Sequence, residues 1–475
     1  MKSRKLVPFI AILASITLSS CGLFSKFNNG LEELLKRQQR EEETGGVNPN
    51  PYTPENKYKY TIMYYMCGSS LEYDKEMGLA EGDRRQGFMT DDIKEILSVN
   101  YGSDVKVIIQ TGGVKHYATD LQSAWCAEST ILDGKNEISD KKLQCWEVEP
   151  CADYKVNTMY ASNVTMKNKL KFVKEMDTNL MATELSFEKF LKWGLENYSA
   201  DHMGVIISGH GGGIAGCAYD DNYNNNTLNT AEIAEASNNA LKSFLRDKFT
   251  FLGFDCCLMA CADIASVLGE YYEYMVSSQE TEEAEGWKQS QWLPNLVSNP
   301  DAETTTILKK IVDSYVGNSH TVCGYTEHGT NYPCYSTLSV LDLSKATNLV
   351  DAFEDYVDAV GESASYYTSA YRSSFAFGDG GYGLVDFVDF VDSMGLSGEN
   401  TTALKTAIND LVIYKKNCTK YESEYSITPC GVNVFFPINL DREYSFSVDK
   451  ADYIGNTTKF TTWQLICNRY TAGWR

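Results

Sequence analysis

The stretch MGVIISGHGGG (residues 203–213) joins an uninterrupted apolar run to a histidine and three glycines. Apolar residues at successive positions, without two-residue alternation, are typical of a strand buried on both faces of a parallel sheet. The glycines end the strand in a turn, which predicts His210 at its carboxyl end. A second apolar run, FLGFDCC (251–257), stops in the same way at Asp255, Cys256 and Cys257. These two strand ends are where the sequence carries most information.

Strand-like and helix-like segments alternate along the rest of the chain. Further strands are predicted at residues 60–67, 104–111, 272–279, 335–343 and 431–438. Helical spacing of apolar residues occurs at 91–98, 186–198, 229–247, 263–272, 344–360 and 382–394, the fifth of these opened by a Ser344 cap. The alternation predicts an α/β/α sandwich around a mainly parallel sheet. Residues 112–175 are the least regular and are expected to form a surface excursion from that sheet.

The composition limits the classes of function. The chain has 475 residues, 43% of them hydrophobic, so it can bury a substantial core. Acidic residues outnumber basic ones by 64 to 42, for a net charge of −22. This balance argues against nucleic acid as a partner and favours solubility, with some attraction for basic peptides.

The N-terminus has the features of an export signal. MKSRK is a positively charged start, and the apolar segment after it has signal-peptide length rather than spanning length. The segment ends in LSSC (18–21), which resembles a bacterial lipobox and implies cleavage before Cys21 and lipidation of its sulfur. An ordinary signal peptide with a chance cysteine is the alternative. The sequence thus predicts an exported protein of the bacterial cell envelope, anchored in a membrane through Cys21.

Composition changes along the chain, and these changes indicate the domain organisation. Residues 1–20 are the lipoprotein signal peptide, and 21–56 are a flexible tether rich in charged residues, Gly, Pro and Asn. Residues 57–300 are expected to form the core that carries both strand ends, and 301–475 a C-terminal α/β part that completes the domain.

The chain contains 14 cysteines. With Cys21 assigned to the lipid, an odd number remains, which suggests at least one free thiol in an exported protein. Disulfide bonds could form among Cys126, Cys145, Cys151, Cys323, Cys334, Cys418 and Cys430, but the sequence does not assign their pairing.

The two strand ends suggest a reaction. Neighbouring strands of a parallel sheet end at the same edge, so adjacency would bring His210 close to a cysteine. A thiolate that attacks a carbonyl needs an imidazole to stabilise its charge and to protonate the leaving group. Glycine next to the histidine lets a backbone N–H approach the developing oxyanion, and Gly211 provides one. Alternatively, the histidine caps a glycine turn and the cysteines are small core residues. Successive side chains point in opposite directions, so only one of Cys256 and Cys257 can face His210.

These motifs resemble the caspase-like cysteine peptidases, the group that includes clostripain, legumain, the gingipains and the caspases. FDCCLM (254–259) is most similar to the clostripain family, whose members typically read Phe-Asp-Ala-Cys-Leu-Met at the nucleophile. The agreement extends over about residues 58–440 and includes YTIMYYMCGSSLE (60–72), MTDDIKEI (89–96), FLKWGLENYSADHMGVIISGHGGG (190–213), SSQETEEAEGW (277–287) and GVNVFFP (431–437).

The resemblance implies a caspase-like fold and a role for each site residue. It assigns the nucleophile to Cys257, with His210 as its partner and the N–H groups of Gly211 and Cys257 as the oxyanion hole. It places Asp255, two residues before the nucleophile, at the floor of the pocket for the residue on the amino side of the cleaved bond (P1), and thereby implies cleavage after Arg or Lys. Asp255 could instead bond local backbone N–H groups.

A second contribution to the P1 pocket is expected from a serine followed by an acid. Here Ser278 is followed by Gln279 and only then by Glu280, which departs from the family pattern. Glu280 serves if the loop shifts by one residue. A neutral Gln279 in the pocket would relax the preference for a basic residue.

No cofactor is required for this chemistry, although the resemblance implies that some relatives respond to calcium. The acidic segment 218–226 lacks the ligand spacing of a calcium loop, which favours a polar surface loop. The expected partners are protein or peptide substrates. Two rival hypotheses are a surface-binding lipoprotein that keeps the fold without turnover, and a thiol–disulfide protein. The first has no need of the His210–Cys257 pair, and the second lacks Cys-x-x-Cys spacing.

Overall fold

The computed structural model describes residues 51–72, 87–115, 131–133, 137–158, 161–224, 226–316, 326–327, 330–331, 335–361, 364–437 and 458–472. Residues 1–50, which include the predicted signal peptide, Cys21 and most of the tether, lie outside this set. Within the described residues, no helix has the length and apolar character needed to cross a membrane.

Ten strands form one central sheet. In chain order its strands are β1 (Tyr58–Cys67), β2 (Val105–Gly112), β3 (Leu132–Asp133), β4 (Gln144–Val156), β5 (Val164–Glu175), β6 (Ala200–Ser208), and then, after a short hairpin of β7 (Cys217–Asp220) and β8 (Asn226–Leu228), β9 (Phe249–Asp255) and β10 (Tyr272–Ser277). The C-terminal part adds two further strands to this sheet, β13 (Thr337–Asp342) and β15 (Val412–Asn417). Outside it lie β11 (Thr326–Glu327) and β12 (Thr330–Asn331), which pair with each other, and β14 (Leu384–Asp386) and β16 (Asn433–Phe435). The order across the central sheet is β15-β13-β10-β9-β6-β1-β2-β4-β5-β3.

The centre of this sheet is parallel and its flanks are mostly antiparallel. β2, β1, β6, β9 and β10 run parallel to one another, whereas β13 and β15 on one side and β4 and β5 on the other pair antiparallel. Because β13 and β15 join the same sheet as β10, residues on both sides of position 300 build one sheet. The predicted fold class, a mainly parallel α/β sandwich, is confirmed.

Thirteen helices are described. They are α1 (Ser69–Glu72), α2 (Phe88–Ser98), α3 (Glu184–Asn197), α4 (Thr230–Ser243), α5 (Ala262–Leu268), α6 (Gln289–Ser298), α7 (Thr304–Tyr315), α8 (Ala346–Val360), α9 (Ala364–Ser373), α10 (Phe387–Ser393), α11 (Glu399–Leu411), α12 (Lys420–Tyr425) and α13 (Thr461–Ala472). The buried residues of α2, α6 and α7 pack in one apolar cluster, and those of α3, α4, α5 and α8 pack in another.

Strand β1 explains why the sheet has two covered faces. Tyr60, Ile62 and Tyr64 belong to the first cluster, whereas Met63 and Tyr65 belong to the second. Successive side chains of a strand point to opposite faces, so a strand covered on both sides must be apolar at every position. This is the pattern that the sequence shows.

Residues 112–175 differ from the prediction. Instead of an excursion away from the sheet, their described part forms the long antiparallel pair β4 and β5, which extends the sheet at its edge. Many positions of this pair are partly or fully exposed, so the two strands lack the continuous apolar runs of the central strands. That mixed pattern is weak evidence for a strand in a sequence.

Two local predictions at the C-terminal side also differ from the structure. Ser344 does not cap a helix; it lies in a 3-10 turn, where the Asp342 side chain accepts a hydrogen bond from its N–H. Segment 382–394 begins as β14 before it becomes α10. The strand predicted at 431–438 is confirmed as β16, which pairs with β14 in a separate two-stranded sheet.

The described cysteines are free thiols, including four of those considered for disulfides: Cys145, Cys151, Cys418 and Cys430. The other three, Cys126, Cys323 and Cys334, lie outside the described residues.

Candidate active site

The ends of β6 and β9 lie side by side. The two strands are parallel, with Ser208 opposite Asp255, so the chain leaves the sheet at neighbouring points. His210 and Cys257 follow two residues after this pair, and both line one cavity of about 130 Å³. This volume is smaller than the roughly 300–1,000 Å³ of sites that hold whole small molecules, and it suits a single side chain. Helix α2 and the loop after β10 complete its wall.

The Cys257 sulfur is surrounded by backbone N–H groups. The N–H of Glu282 donates to Sγ at 3.2 Å. Burial raises the pKa of the Cys257 thiol, while the N–H groups of Glu282, Cys257 and Gly211 act in the opposite direction. The two N–H groups predicted to form an oxyanion hole therefore both lower the pKa of the Cys257 thiol. Such donors can stabilise a negative charge that forms there.

Cys256 has a different environment from its neighbour. Its side chain is buried, and its Sγ donates to the carbonyl oxygen of Ile207 at 3.3 Å. Burial raises the pKa of this thiol well above its usual value, and the adjacent Cys217 raises it further. Cys257 is partly exposed, so of the two neighbours it is the accessible thiol.

Gly211 lies too close to the nucleophile loop for any side chain. A Cβ at this position would be 2.3 Å from the carbonyl oxygen of Cys257 and 3.1 Å from its nitrogen. Because backbone atoms cannot move aside cheaply, only glycine allows this approach. The glycine after the histidine is thus explained by direct contact with the loop of Cys257.

The His210 ring is held by a serine that the sequence did not indicate. Its Nε2 and the Ser70 Oγ are 2.8 Å apart. Ser70 lies in α1, directly after β1, which is the neighbour of β6 in the sheet. The only signal in the sequence is the polar CGSSLE segment at the end of a predicted strand, and it gives no reason to choose Ser70 over Ser69.

Asp255 is buried at the cavity and carries a fixed set of hydrogen bonds. Its carboxylate accepts from the Trp287 N–H at 3.0 Å and from the Gln289 side chain at 3.2 Å. Gly286 is constrained by this carboxylate, because a Cβ there would be 2.8 Å from Oδ1. Burial raises the pKa of Asp255 to about 7.

Ser278 and Glu280 do not line the cavity. The Ser278 hydroxyl lies 2.9 Å from the Thr337 hydroxyl and is fully buried. The Glu280 carboxylate accepts from the Gly378 N–H at 2.9 Å and from the Tyr421 hydroxyl at 3.4 Å. Gln279 is also buried, and its side chain bonds to Asp386 and Asn433. The geometry therefore does not bring these three residues together with Asp255.

Three other carboxyl groups line the cavity. Asp92 from α2 and Glu282 and Glu283 from the loop after β10 line the cavity with Asp255. Burial raises the pKa of both Asp92 and Glu282 well above the usual range, and the nearby Asp255 raises both further. Nothing in the sequence distinguishes Asp92 from the other acids of its helix.

The acidic segment 218–226 uses its carboxylates internally in the described residues. Asp220 accepts from the N–H groups of Met181 and Asn222 at 2.8 and 2.9 Å. Asp221 accepts from the Ser69 hydroxyl at 2.8 Å. Among the residues that the structure describes, no group of three or more His, Cys, Asp or Glu is arranged to hold a metal ion.

Comparisons with known proteins identify solved structures of similar fold. Three similar solved structures are a secreted C11 cysteine protease from Bacteroides thetaiotaomicron bound to an irreversible peptide inhibitor (14% identity, 87% of this chain and 99% of that chain covered, TM-score 0.54), the protease iotapain from the same organism (15%, 80% and 94%, 0.53), and an inactive zymogen C11 protease from Parabacteroides distasonis (16%, 80% and 92%, 0.52). At these identities the likeness establishes the fold.

The family is established by the sequence itself. A search of curated proteins found no match to the chain. The Clostripain family pattern, in contrast, matches residues 80–447, which is most of the chain and includes both strand ends at the cavity. The chain belongs to the clostripain family and is a cysteine endopeptidase.

Proposed function

We propose that this peptidase cleaves the bond after Arg or Lys, with Cys257 as the nucleophile and His210 as the proton carrier. The observation that carries the proposal is the buried Asp255 carboxylate in the same small cavity as the partly exposed Cys257 thiol. A substrate whose carbonyl carbon meets the sulfur would extend its P1 side chain into this cavity. The Asp255 carboxylate would favour a positively charged P1 side chain there.

The proposed reaction begins with transfer of the Cys257 proton to His210. Because Nε2 is bonded to Ser70, Nδ1 is the ring nitrogen assigned to this step. The sulfur then attacks the P1 carbonyl carbon, and the N–H groups of Gly211 and Cys257 stabilise the oxyanion. Collapse breaks the C–N bond, and the imidazolium gives its proton to the leaving amine, which leaves a thioester.

Water completes the cycle. His210 takes a proton from a water molecule whose oxygen attacks the thioester carbonyl, and the same N–H groups stabilise the second oxyanion. Collapse breaks the C–S bond and returns the proton from His210 to the sulfur. The products are a peptide ending in the P1 carboxylate and the free thiol. This scheme uses only groups of the protein, so we propose that it runs without a cofactor, with any response to calcium being regulatory.

We further propose that the protein is exported and anchored through a lipid on Cys21. The support is the LSSC sequence after an apolar segment of signal-peptide length. Two of the structurally similar proteases are described as secreted. Incorporation of a labelled fatty acid into the wild type, and its loss in Cys21→Ser, would support the anchor; equal labelling of both would overturn it.

The P1 preference is tested with fluorogenic peptides that differ only at P1, carrying Arg, Lys, Ala, Asn or Asp. The assay uses the protein from residue 57 onward, with and without EDTA, beside Cys257→Ala and Cys256→Ala. Turnover of the Arg and Lys peptides that is lost only in Cys257→Ala is the expected result. Faster turnover of the Ala, Asn or Asp peptides would overturn the basic preference and leave the nucleophile intact.

A further inference from the structure

Asp92 is the acid of helix α2 that faces the cavity without a partner. Its side chain is only 7% exposed, yet the described residues give it no hydrogen bond or ion pair. The other acids of the helix are satisfied. Asp91 pairs with the Lys94 ammonium at 3.7 Å, and Glu95 accepts from the Ser290 N–H and hydroxyl at 3.0 and 3.1 Å. The lack of a partner is therefore particular to Asp92.

The cavity contains carboxyl groups from three different elements. Asp92 comes from α2, Asp255 from the end of β9, and Glu282 from the loop after β10. The Glu282 Oε2 is buried and has no hydrogen bond among the described residues, while its Oε1 accepts from the Trp287 indole at 3.4 Å. A buried carboxyl group without a partner is costly to the folded protein unless it is protonated or meets a cation. Asp92 is such a group, and its position beside Asp255 in the cavity indicates a ligand with positive charge.

We propose that Asp92 is a second specificity-determining residue, which binds the cationic end of the P1 side chain together with Asp255. The inference rests on the proposed function, because it assigns a further residue to the same P1 site. A guanidinium presents donors along two edges and can contact carboxylates on both sides. Asp255 already accepts two hydrogen bonds from the protein, so Asp92 has more acceptor capacity left for a substrate.

The same arrangement couples substrate binding to proton release. Asp255 raises the pKa of Asp92 and of Glu282, and burial raises the pKa of Asp255 itself to about 7. A P1 cation that binds near neutral pH must therefore displace a proton from Asp255. Preference for a cationic over a neutral P1 residue should therefore increase as the pH rises. The other titratable or charged groups that face Asp92 and Asp255 are Tyr64 of β1, Asp91 and Glu95 of α2, Cys256 and Cys257 after β9, and Glu282, Glu283 and Lys288 of the loop before α6.

The test uses two peptides that differ only in P1, one with arginine and one with citrulline, its neutral analogue of nearly equal shape. We expect Asp92→Asn to lower kcat/KM for the arginine peptide by about 10-fold or more, as for a lost buried charge contact, and to change the citrulline value by less than about twofold. The ratio of the two values isolates the pocket, since Cys257 and His210 act equally on both peptides. Its rise with pH should shift to lower pH in Asp92→Asn, because Asp255 loses a negative neighbour.

The matched control is Asp91→Asn, which alters an equally buried acid on the same helix that does not line the cavity. It should leave the arginine-to-citrulline ratio unchanged. Labelling of Cys257 by a peptidyl electrophile with a neutral P1 residue shows that each variant is folded. An unchanged ratio in a labelled Asp92→Asn enzyme overturns the role of Asp92 alone. A wild type that does not prefer arginine to citrulline overturns the proposed P1 specificity, and this inference with it.

Discussion

The two sides of Cys257, the region around its sulfur and the adjoining cavity, are lined by different chemical groups. On the sulfur side, the groups that face the reaction are backbone N–H groups of Gly211, Cys257 and Glu282. On the cavity side, they are the carboxyl groups of Asp92, Asp255 and Glu282. The first set is held by the fold and keeps its polarity at every pH. The second set can be changed by one substitution or one proton.

This difference suggests how the work of the site is divided. Backbone donors stabilise an oxyanion whatever the substrate, so damage on the sulfur side should reduce the turnover of all peptides alike. Carboxyl groups in the cavity act on the P1 side chain, so damage there should depend on which peptide is offered. The predictions below test this division, beginning with the largest expected effect.

Removal of the nucleophile should have the largest effect. Cys257→Ala is expected to lower kcat by about 10⁶-fold for every peptide, the scale seen when a nucleophile is deleted. Cys256→Ala is the matched control, because it removes the neighbouring thiol that bonds to the Ile207 carbonyl. It should cost about 1 kcal/mol of stability and little activity. Active-site titration and steady-state kinetics measure both, and equal losses in the two variants would contradict the assignment.

Disruption of the sulfur side without loss of the thiol should come next. In Gly211→Ala, the new Cβ would overlap the Cys257 carbonyl oxygen, so the loop must move and the oxyanion donors with it. We expect kcat to fall by about 10²–10³-fold for arginine and citrulline peptides alike, as when an oxyanion donor is lost. Gly102→Ala, at a position with open space around it, is the control. A loss confined to the arginine peptide would contradict the division between the two sides.

Neutralisation of the cavity floor should affect one class of substrate. Asp255→Asn is expected to reduce kcat/KM for arginine and lysine peptides by about 100-fold, because a buried charge pair with the substrate is lost. The value for a citrulline peptide should change much less. Glu280→Gln is the comparison, since its carboxylate bonds to Gly378 and Tyr421 outside the cavity. A larger loss of basic specificity in Glu280→Gln would assign the P1 role to Glu280, which the resemblance implied only as a second contributor beside Asp255.

The support behind the histidine should have a smaller effect. Ser70→Ala removes one hydrogen bond to Nε2 of His210, which is worth roughly 2- to 10-fold in kcat. As a positioning residue, Ser70 should also shift the pH profile of kcat/KM equally for arginine and citrulline peptides, because His210 serves both. Ser70→Thr keeps the hydroxyl and should restore most of the activity. No recovery in Ser70→Thr, with an unshifted profile in Ser70→Ala, would contradict a positioning role.

The sequence predicted the parts of the site that leave a linear signal. Uninterrupted apolar runs identified β6 and β9 because strands covered on both faces cannot alternate. Their ends carried His210, Asp255 and the cysteine pair. The choice of Cys257 over Cys256 needed the family resemblance, since two identical side chains at a strand end differ only in the direction they face.

Residues contributed by distant elements could not be found in this way. Asp92 is one of several acids on an amphipathic helix, and only packing of α2 beside β9 selects it. Ser70 contacts His210 because β1 and β6 are neighbours, although 140 residues separate the two side chains. The Ser278–Glu280 segment shows the opposite case, in which a local pattern suggested contacts that the fold directs elsewhere. Sequence proximity to a strand end was informative, and the rest depended on tertiary contacts.

The smallest predicted effect is on the pH dependence of stability. We expect it only for the carboxyl groups of the cavity side. Burial raises the pKa of Asp255 to about 7 in the folded protein, far above that of an exposed aspartate. Between these two values the folded state holds a proton that the unfolded state has lost. The contribution of Asp255 to stability is therefore present at pH 4 and falls as the pH rises towards 7.

Asparagine at this position is neutral at every pH. We expect Cys257→Ala/Asp255→Asn to gain about 1–4 °C in Tm over Cys257→Ala at pH 8, with a smaller difference at pH 5. Thermal melts of the two proteins over pH 5–8 measure this difference. Gly211 and its N–H do not titrate, so the corresponding pair with Gly211→Ala should give parallel curves. If the two curves of Tm against pH are also parallel for the Asp255 comparison, then Asp255 does not hold a proton near neutral pH. The two sides of Cys257 would then differ less than their composition suggests.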